Sequence, residues 1–273
     1  MAWNGREVMK PARARGKVYL VGAGPGAPDL LTVRAAQLLE RADIVFHDAL
    51  VNPETVALAV KAEIIAVGKR CGRHSTAQRF INKRLIDAAQ RFQTVVRLKG
   101  GDPMLFGRAQ EEIDALRAAG VEFEVVPGIT AALAASAELG VSLTQRGMSR
   151  SVAFVTPRVG DGEDPADWIR SAASADTAAL YMAAGQAAAI ATSLIAGGLQ
   201  PDTPVAIVAN VSLPEMKWTA TTLSALQRAL TPINDGPALI LVGHVFRRVA
   251  ANLQGDALIR EAGRDALTES LCA

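Results

Sequence analysis

Between two hydrophobic stretches the chain reads Arg97-Leu98-Lys99-Gly100-Gly101-Asp102-Pro103-Met104-Leu105-Phe106-Gly107-Arg108. Paired glycines let the backbone approach a ligand with no Cβ in the way. Asp102 adds a hydrogen-bond acceptor and Pro103 stiffens the exit. A similar place follows at Pro127-Gly128-Ile129-Thr130-Ala131-Ala132, where a helix start offers free N–H groups and the Thr130 hydroxyl. In His47-Asp48-Ala49-Leu50-Val51 the carboxylate of Asp48 has three readings: a general base, a ribose-binding acid, or a solvated cap for the segment after Pro53. Lys69, Arg70 and Arg73 crowd one loop beside His74, which suits a polyanionic substrate or plain solvated surface. There is no HxH, HExxH or CxxC spacing, so no metal is expected.

These residues need elements to position them. Residues 94–98 are β-branched and read as a strand, and residues 110–119 read as a helix with Ile113 and Leu116 on one face. Strands are also expected at 17–21, 43–46, 63–67 and 121–126. Helices are expected at 32–41 and through Ala88, the latter capped by Ser75 or Thr76. Strict alternation of strand and helix predicts a parallel sheet, which places the Gly loop, Asp48 and the basic loop at one sheet edge. The loop Gly22-Ala23-Gly24-Pro25-Gly26-Ala27 is spaced GxGxG, with Ala27 where a dinucleotide fingerprint needs glycine. Pro25 also lacks the N–H that a pyrophosphate would use, which argues against a nicotinamide-dependent dehydrogenase.

After a linker-like stretch at 140–147 a second alternation begins. Strands are expected at 152–155, 177–182, 205–209, 217–221 and 238–242, with helices at 186–196 and 223–230. The predicted organisation is α/β: two α/β domains, 17–138 and 139–250, with a ligand cleft between them. A basic leader, 1–16, is read as mobile, and a tail, 251–273, carries a helix candidate from Asp256.

The chain has 273 residues, half of them hydrophobic, which suffices for two cores. Aromatics are sparse. A formal charge of +2 gives no global field for nucleic acid. Cys71 and Cys272 are the only cysteines, so a disulfide framework is not expected and a cytoplasmic setting is. No apolar run is long enough to span a bilayer, and the leader has no apolar core of a secretory signal.

In order and spacing these pieces resemble the tetrapyrrole (precorrin) methyltransferase family over roughly residues 16–250. The carriers are Val21-Gly22-Ala23-Gly24-Pro25-Gly26 with Asp29-Leu30-Leu31-Thr32, His47 to Val51, Val67-Gly68-Lys69-Arg70, Val96 to Pro103, Phe106-Gly107-Arg108, Val126 to Ala131, Leu143-Thr144, Tyr181-Met182 and Pro237 to Gly243. The resemblance implies two α/β domains, a homodimer and S-adenosylmethionine as methyl donor, with no metal. It places the donor against Pro25, Gly100, Gly101, Asp102, Leu105, Thr130, Ala131, Met182, Val211 and the backbone near Ala238. Without the resemblance Met182 reads as core packing. The implied activity is C-methylation of uroporphyrinogen III to precorrin-2 via precorrin-1, as in sirohaem, cobalamin or haem d1 synthesis. Asp48 would then be the base, with Lys69 as a possible proton donor. Arg108, Arg70, Arg146 and Arg73 would meet the substrate's carboxylates. The chain departs from the family pattern at Gln145, Thr156-Pro157-Arg158, Ala183, Val211 and Ala109-Gln110. These departures keep two alternatives open: a methyltransferase for a later precorrin, and a non-catalytic tetrapyrrole-binding paralogue. The length leaves no room for a further dehydrogenase or chelatase domain, so a fused sirohaem synthase is not expected.

Overall fold

A computed structural model describes residues 16–67, 74–158, 162, 164, 166–233, 236–249 and 260–261. The chain divides into two compact units between Ile129 and Thr130. The break falls ahead of the expected one at 138, because the helix after Thr130 packs with the second unit. The leader 1–15 lies outside the described residues, and of the tail only Arg260–Glu261 is described.

The first unit is built on β1 (Lys17–Gly22), β2 (Ile44–His47), β3 (Glu63–Ala66), β4 (Thr94–Lys99) and β5 (Glu122–Val126). They form one sheet in the order β3-β2-β4-β1-β5, and every pairing is parallel, as the alternation predicts. Helices α1 (Val33–Glu40) and α2 (Pro53–Ala57) lie on one face, with Leu38 and Leu39 packed against Val45, Val96 and Leu98. Helices α3 (His74–Ala89) and α4 (Ala109–Ala118) lie on the other, with Leu85 and Leu116 against Val18, Phe46 and Val95. Connections running one way along the sheet use one face and those running back use the other, as right-handed crossovers require. Each fully buried Leu contributes roughly 1.5–3 kcal/mol.

Local capping explains the helix starts. Thr32 Oγ1 accepts the Ala35 N–H at 3.2 Å. Asn52 Oδ1 accepts the Glu54 N–H at 2.9 Å, with Pro53 at the first helical position. Asn52, rather than Asp48, is therefore the cap of the segment after Pro53. α3 begins at His74, so Ser75 and Thr76 lie inside its first turn and not at its cap. Asp43 clamps the sheet's lower edge: its Oδ2 accepts the N–H groups of Gln93 and Thr94 at 3.0 and 2.8 Å.

The second unit opens with α5 (Ala131–Glu138). There follow β6 (Val152–Val155), α6 (Asp167–Ser174), β7 (Thr177–Leu180), α7 (Ala187–Ala196), β8 (Pro204–Ala209), β9 (Lys217–Thr222), α8 (Leu226–Leu230), β10 (Ala238–Gly243) and β11 (Arg260–Glu261). Its sheet runs β11-β9-β8-β10-β7-β6. Only β6 and β7 pair in parallel; the other pairings are antiparallel. The positions of β6 to β10 match the sequence reading, but strand direction was not legible in it, and Arg260–Glu261, expected within a tail helix, pair with β9 as a strand. Residues 210–216 are too few for a crossover helix, so β9 must return antiparallel beside β8. Asp176 repeats the clamp of Asp43, its Oδ2 accepting the N–H groups of Arg150 and Ser151 at 2.8 and 3.0 Å. Those bonds hold its carboxyl below the usual range. Among the described residues, no helix is long and apolar enough to cross a membrane.

Candidate functional site

In the first unit the loops leaving β1, β4 and β5 meet at one edge through glycine. Gly24 and Gly101 exchange backbone hydrogen bonds of 3.2 and 2.7 Å. A Cβ on Gly128 would lie 2.3 Å from the Gly101 carbonyl oxygen, and one on Gly22 would lie 2.6 Å from the Gly128 Cα. Gly128→Ala is therefore expected to cost about 1–3 kcal/mol in a urea unfolding titration. Gly100→Ala, whose Cβ would meet only Leu50 Cβ at 3.8 Å, is expected to stay within ~0.5 kcal/mol of the parent. Equal stabilities would show that the glycine contact is not tight.

Asp102 is the staple of this edge. Its Oδ2 accepts the Gly128 N–H at 2.9 Å and its Oδ1 the Met104 N–H at 2.8 Å. The sequence offered this carboxylate to a ligand; the structure uses it to join the two loops. What faces outward is backbone: Gly101 has a φ of +68° and nothing within 4 Å of its Cβ direction. Pro25 and Leu105 are half-buried nearby in sequence on the same loops, and Asn52 Nδ2 ties the β1 loop by donating to the Gly26 carbonyl at 3.1 Å. Phe106 and Arg108 both hold left-handed backbone, φ 53° and 54°, a conformation that costs about 1–3 kcal/mol per residue. Arg108 forks onto Glu111, with Nε to Oε1 at 2.6 Å and Nη2 to Oε2 at 2.8 Å. That ion pair raises the Arg108 pKa, so the guanidinium offered to substrate carboxylates already has a carboxylate partner.

Beneath the edge lies a buried ionic array that the sequence reading missed. Along β4, Val95, Arg97 and Lys99 share one face by the period of two. Val95 packs in the core, whereas Arg97 and Lys99 are buried cations, 2% and 3% exposed. Arg97 Nη2 meets Asp48 Oδ1 at 2.5 Å, and its Nε meets Glu112 Oε1 at 3.0 Å. Its Nη1 donates to the carbonyls of Leu98 and Phe46 at 3.2 and 3.4 Å. Lys99 Nζ lies 3.2 Å from Glu112 Oε2, and Gln78 Nε2 donates to Glu112 Oε1 at 3.2 Å. Burial opposes the Arg97 charge most, but Asp48 and Glu112 outweigh it and hold its pKa above the ordinary value. Burial, reinforced by Arg97, pushes the Lys99 pKa down. Asp48 alone in the array reaches solvent, its side chain 32% exposed. A signal was present: two charged residues in alternate positions of a strand covered on both faces cannot both reach water and need partners.

In the second unit, Thr130 Oγ1 and the Tyr181 hydroxyl are 2.7 Å apart, and that hydroxyl accepts the Ala132 N–H at 3.2 Å. Tyr181 thus caps the first turn of α5, where Ala131 is half-buried. Burial raises the Tyr181 pKa against the opposing pull of Thr130 and Ala132. β7 and β8 both run antiparallel to β10, so Met182, Val211 and Ala238 fall at the same sheet edge. Met182 is 43% exposed with φ 54°, which rules out the core-packing reading. Val211 is buried between Asn210 and Ser212, both left-handed at φ 52° and 63°. Strained backbone thus gathers at one edge of each sheet. Arg146 is exposed on the turn closed by the Gln145–Ser149 bridge. Lys69, Arg70 and Arg73, and the His74 side chain, lie outside the described residues.

The comparisons with known proteins agree with this architecture. The family model for tetrapyrrole (corrin/porphyrin) methylases matches residues 17–227. Siroheme synthase 1 of Klebsiella pneumoniae is 45% identical over 242 residues, 88% of this chain and 51% of that protein. The siroheme synthase of Zymomonas mobilis is 44% identical over 232 residues, 85% of this chain and 49% of that protein. The chain thus spans about half the length of the curated relatives it matches. Among solved structures, the uroporphyrin-III C-methyltransferase of Thermus thermophilus bound to S-adenosylhomocysteine superposes with a TM-score of 0.74 at 38% identity, covering 85% of this chain and all of that one. A cobalt precorrin-4 methyltransferase superposes with a TM-score of 0.76 at 29% identity, covering 87% of this chain and 98% of that one. A match across both units, with relatives of this identity, leads to one conclusion: the chain belongs to the tetrapyrrole methylase family.

Proposed function

We propose that this chain transfers methyl groups from S-adenosylmethionine to carbon atoms of uroporphyrinogen III, giving precorrin-2 via precorrin-1. The observation that carries the reading is the partly exposed Asp48 carboxylate, held on Arg97 at the sheet edge that also presents the side-chain-free Gly100-Gly101 loop. That edge fits the donor: open backbone at Gly101 suits close approach of a nucleoside, and Pro25 withholds an N–H that only a pyrophosphate would want. Pro25, Gly100, Gly101 and Leu105 would hold it, with Asp102 acting through the loops it staples. Thr130, Ala131, Met182, Val211 and Ala238 of the second unit are assigned to the donor on the same reading.

When bound, S-adenosylmethionine supplies an electrophilic methyl group on a sulfonium. The protein's share is mostly positioning, because in-line displacement needs no bond to the enzyme. A methylated pyrrole carbon leaves the ring system with a proton to lose. Asp48 accepts it, and Arg97 keeps the carboxylate in place. Lys69 is assigned as a proton donor, and Arg70, Arg146 and Arg108 as partners of the substrate's carboxylates; Arg108 must leave or share Glu111 to do so. A homodimer, a cytoplasmic location and a place in sirohaem, cobalamin or haem d1 synthesis complete the reading. Methylation of a later precorrin is the second reading, favoured by the departures at Gln145, Pro157, Ala183 and Val211.

The test is an anaerobic incubation with uroporphyrinogen III and S-adenosylmethionine, read by mass spectrometry. A product heavier by one or two methyl groups is expected. No mass gain, with S-adenosylhomocysteine still binding in calorimetry, would sink the substrate and turn the search to later precorrins.

A further inference from the structure

We infer that Glu112 is a positioning residue for the proton acceptor: it fixes Arg97 from behind, and Arg97 fixes the Asp48 carboxylate. The inference rests on the reading of Asp48 as the base. Glu112 stands in the first turn of α4, yet it is 0% exposed, a state that glutamate rarely adopts unless paired. Its Oε1 takes the Nε edge of the guanidinium, which leaves Nη2 for Asp48. Nη1 is spent on the carbonyls of Phe46 and Leu98, the backbone of β2 and β4. The Arg97 fork is thereby held by a helix and two strands at once. Asp48 lies beyond the end of β2, and among the described residues its carboxylate has one side-chain hydrogen bond, to Arg97. The order of that carboxylate is set by the order of the guanidinium.

Stability by itself does not account for the array. An apolar set of similar volume would hold α4 against β4 as well or better. It would not hold a planar cation by one edge and present the other to a carboxylate, the geometry that the bidentate fork of arginine provides. Lys99 balances the second unit of carboxylate charge, so the array is neutral overall, with Arg97 and Lys99 against Asp48 and Glu112.

The experiment is a double-mutant cycle with E112Q and D48N, alone and together. Single-turnover methylation of uroporphyrinogen III is followed by mass spectrometry, with S-adenosylhomocysteine affinity measured alongside. E112Q, whose amide turns a donor toward Arg97 or Lys99 where Glu112 offers both of them acceptors, is expected to slow the wild-type reaction roughly tenfold, with the half-saturating uroporphyrinogen III concentration and S-adenosylhomocysteine affinity unchanged, and to add nothing in the D48N background. Should E112Q fail to fold, R97K, which keeps the charge and loses the second edge, is read in the same cycle. Additive losses, or a full rate in E112Q, overturn the inference while leaving the methyltransferase standing. A wild type that methylates no tetrapyrrole overturns the base assignment and this role together.

Discussion

Arg97→Met is expected to lower the folding stability by about 3–5 kcal/mol. The guanidinium is 2% exposed and lies between Asp48 at 2.5 Å and Glu112 at 3.0 Å. Methionine fills much of the volume but carries no charge and no N–H. Asp48 is a third exposed, so its freed carboxylate is hydrated at modest cost. Glu112 has no such exit: it is fully buried, and after the change it is left, among the described residues, with Lys99 and Gln78. The cost arises from the carboxylate left behind more than from the cation removed. Adding Glu112→Leu should therefore recover part of the loss. Urea unfolding of the parent, R97M and the R97M/E112L pair separates these effects. A midpoint for R97M close to the parent's would mean that Glu112 is left without Arg97 at little cost, and the buried array would not have that energetic role.

Asp48→Asn is expected to reduce kcat by roughly a hundredfold to ten-thousandfold, the range for removal of a positioned general base. Asparagine is nearly isosteric, and its Oδ1 can still accept from Arg97 Nη2, so the fold and loop geometry should be kept. What it lacks is the capacity to take a proton. Affinity for S-adenosylhomocysteine should stay within about twofold, because only a group acting in the transition state has been removed. Rates from single turnovers, paired with calorimetry of the product complex, read the two quantities separately. A variant that keeps a tenth or more of the parental rate would place the base elsewhere. A large loss of donor affinity would instead make Asp48 a binding residue.

The strand-end logic of the site was legible in the sequence. β-branched runs stop at glycine or proline again and again, and in a parallel sheet all such stops lie on one edge. That edge was placed from residues 22–29, 48, 100–103 and 127–131 without coordinates. The roles of individual side chains were less legible. Asp102 reads as an acceptor awaiting a ligand, yet it is bonded to Gly128 and Met104. Arg108 reads as a free cation, yet it forks onto Glu111. Gly128 is brought to Asp102 by the path of the backbone, which hydropathy and spacing do not encode, whereas Met104 and Glu111 are local partners at i+2 and i+3 that the spacing offered.

By itself, the sequence determined the element order, the parallel first sheet, the glycine edge and the family, because these follow from periodicity, turn chemistry and motif order. Tertiary structure alone decided the direction of the strands in the second sheet and the pairing of Asp48, Arg97, Glu112 and Lys99. The reason is range. Periodicity is a local property, read within one element. The partner of a buried charge is fixed by which helix lies on which face of the sheet, and Arg97 meets Glu112 because the first turn of α4 lies on the face to which Arg97 points.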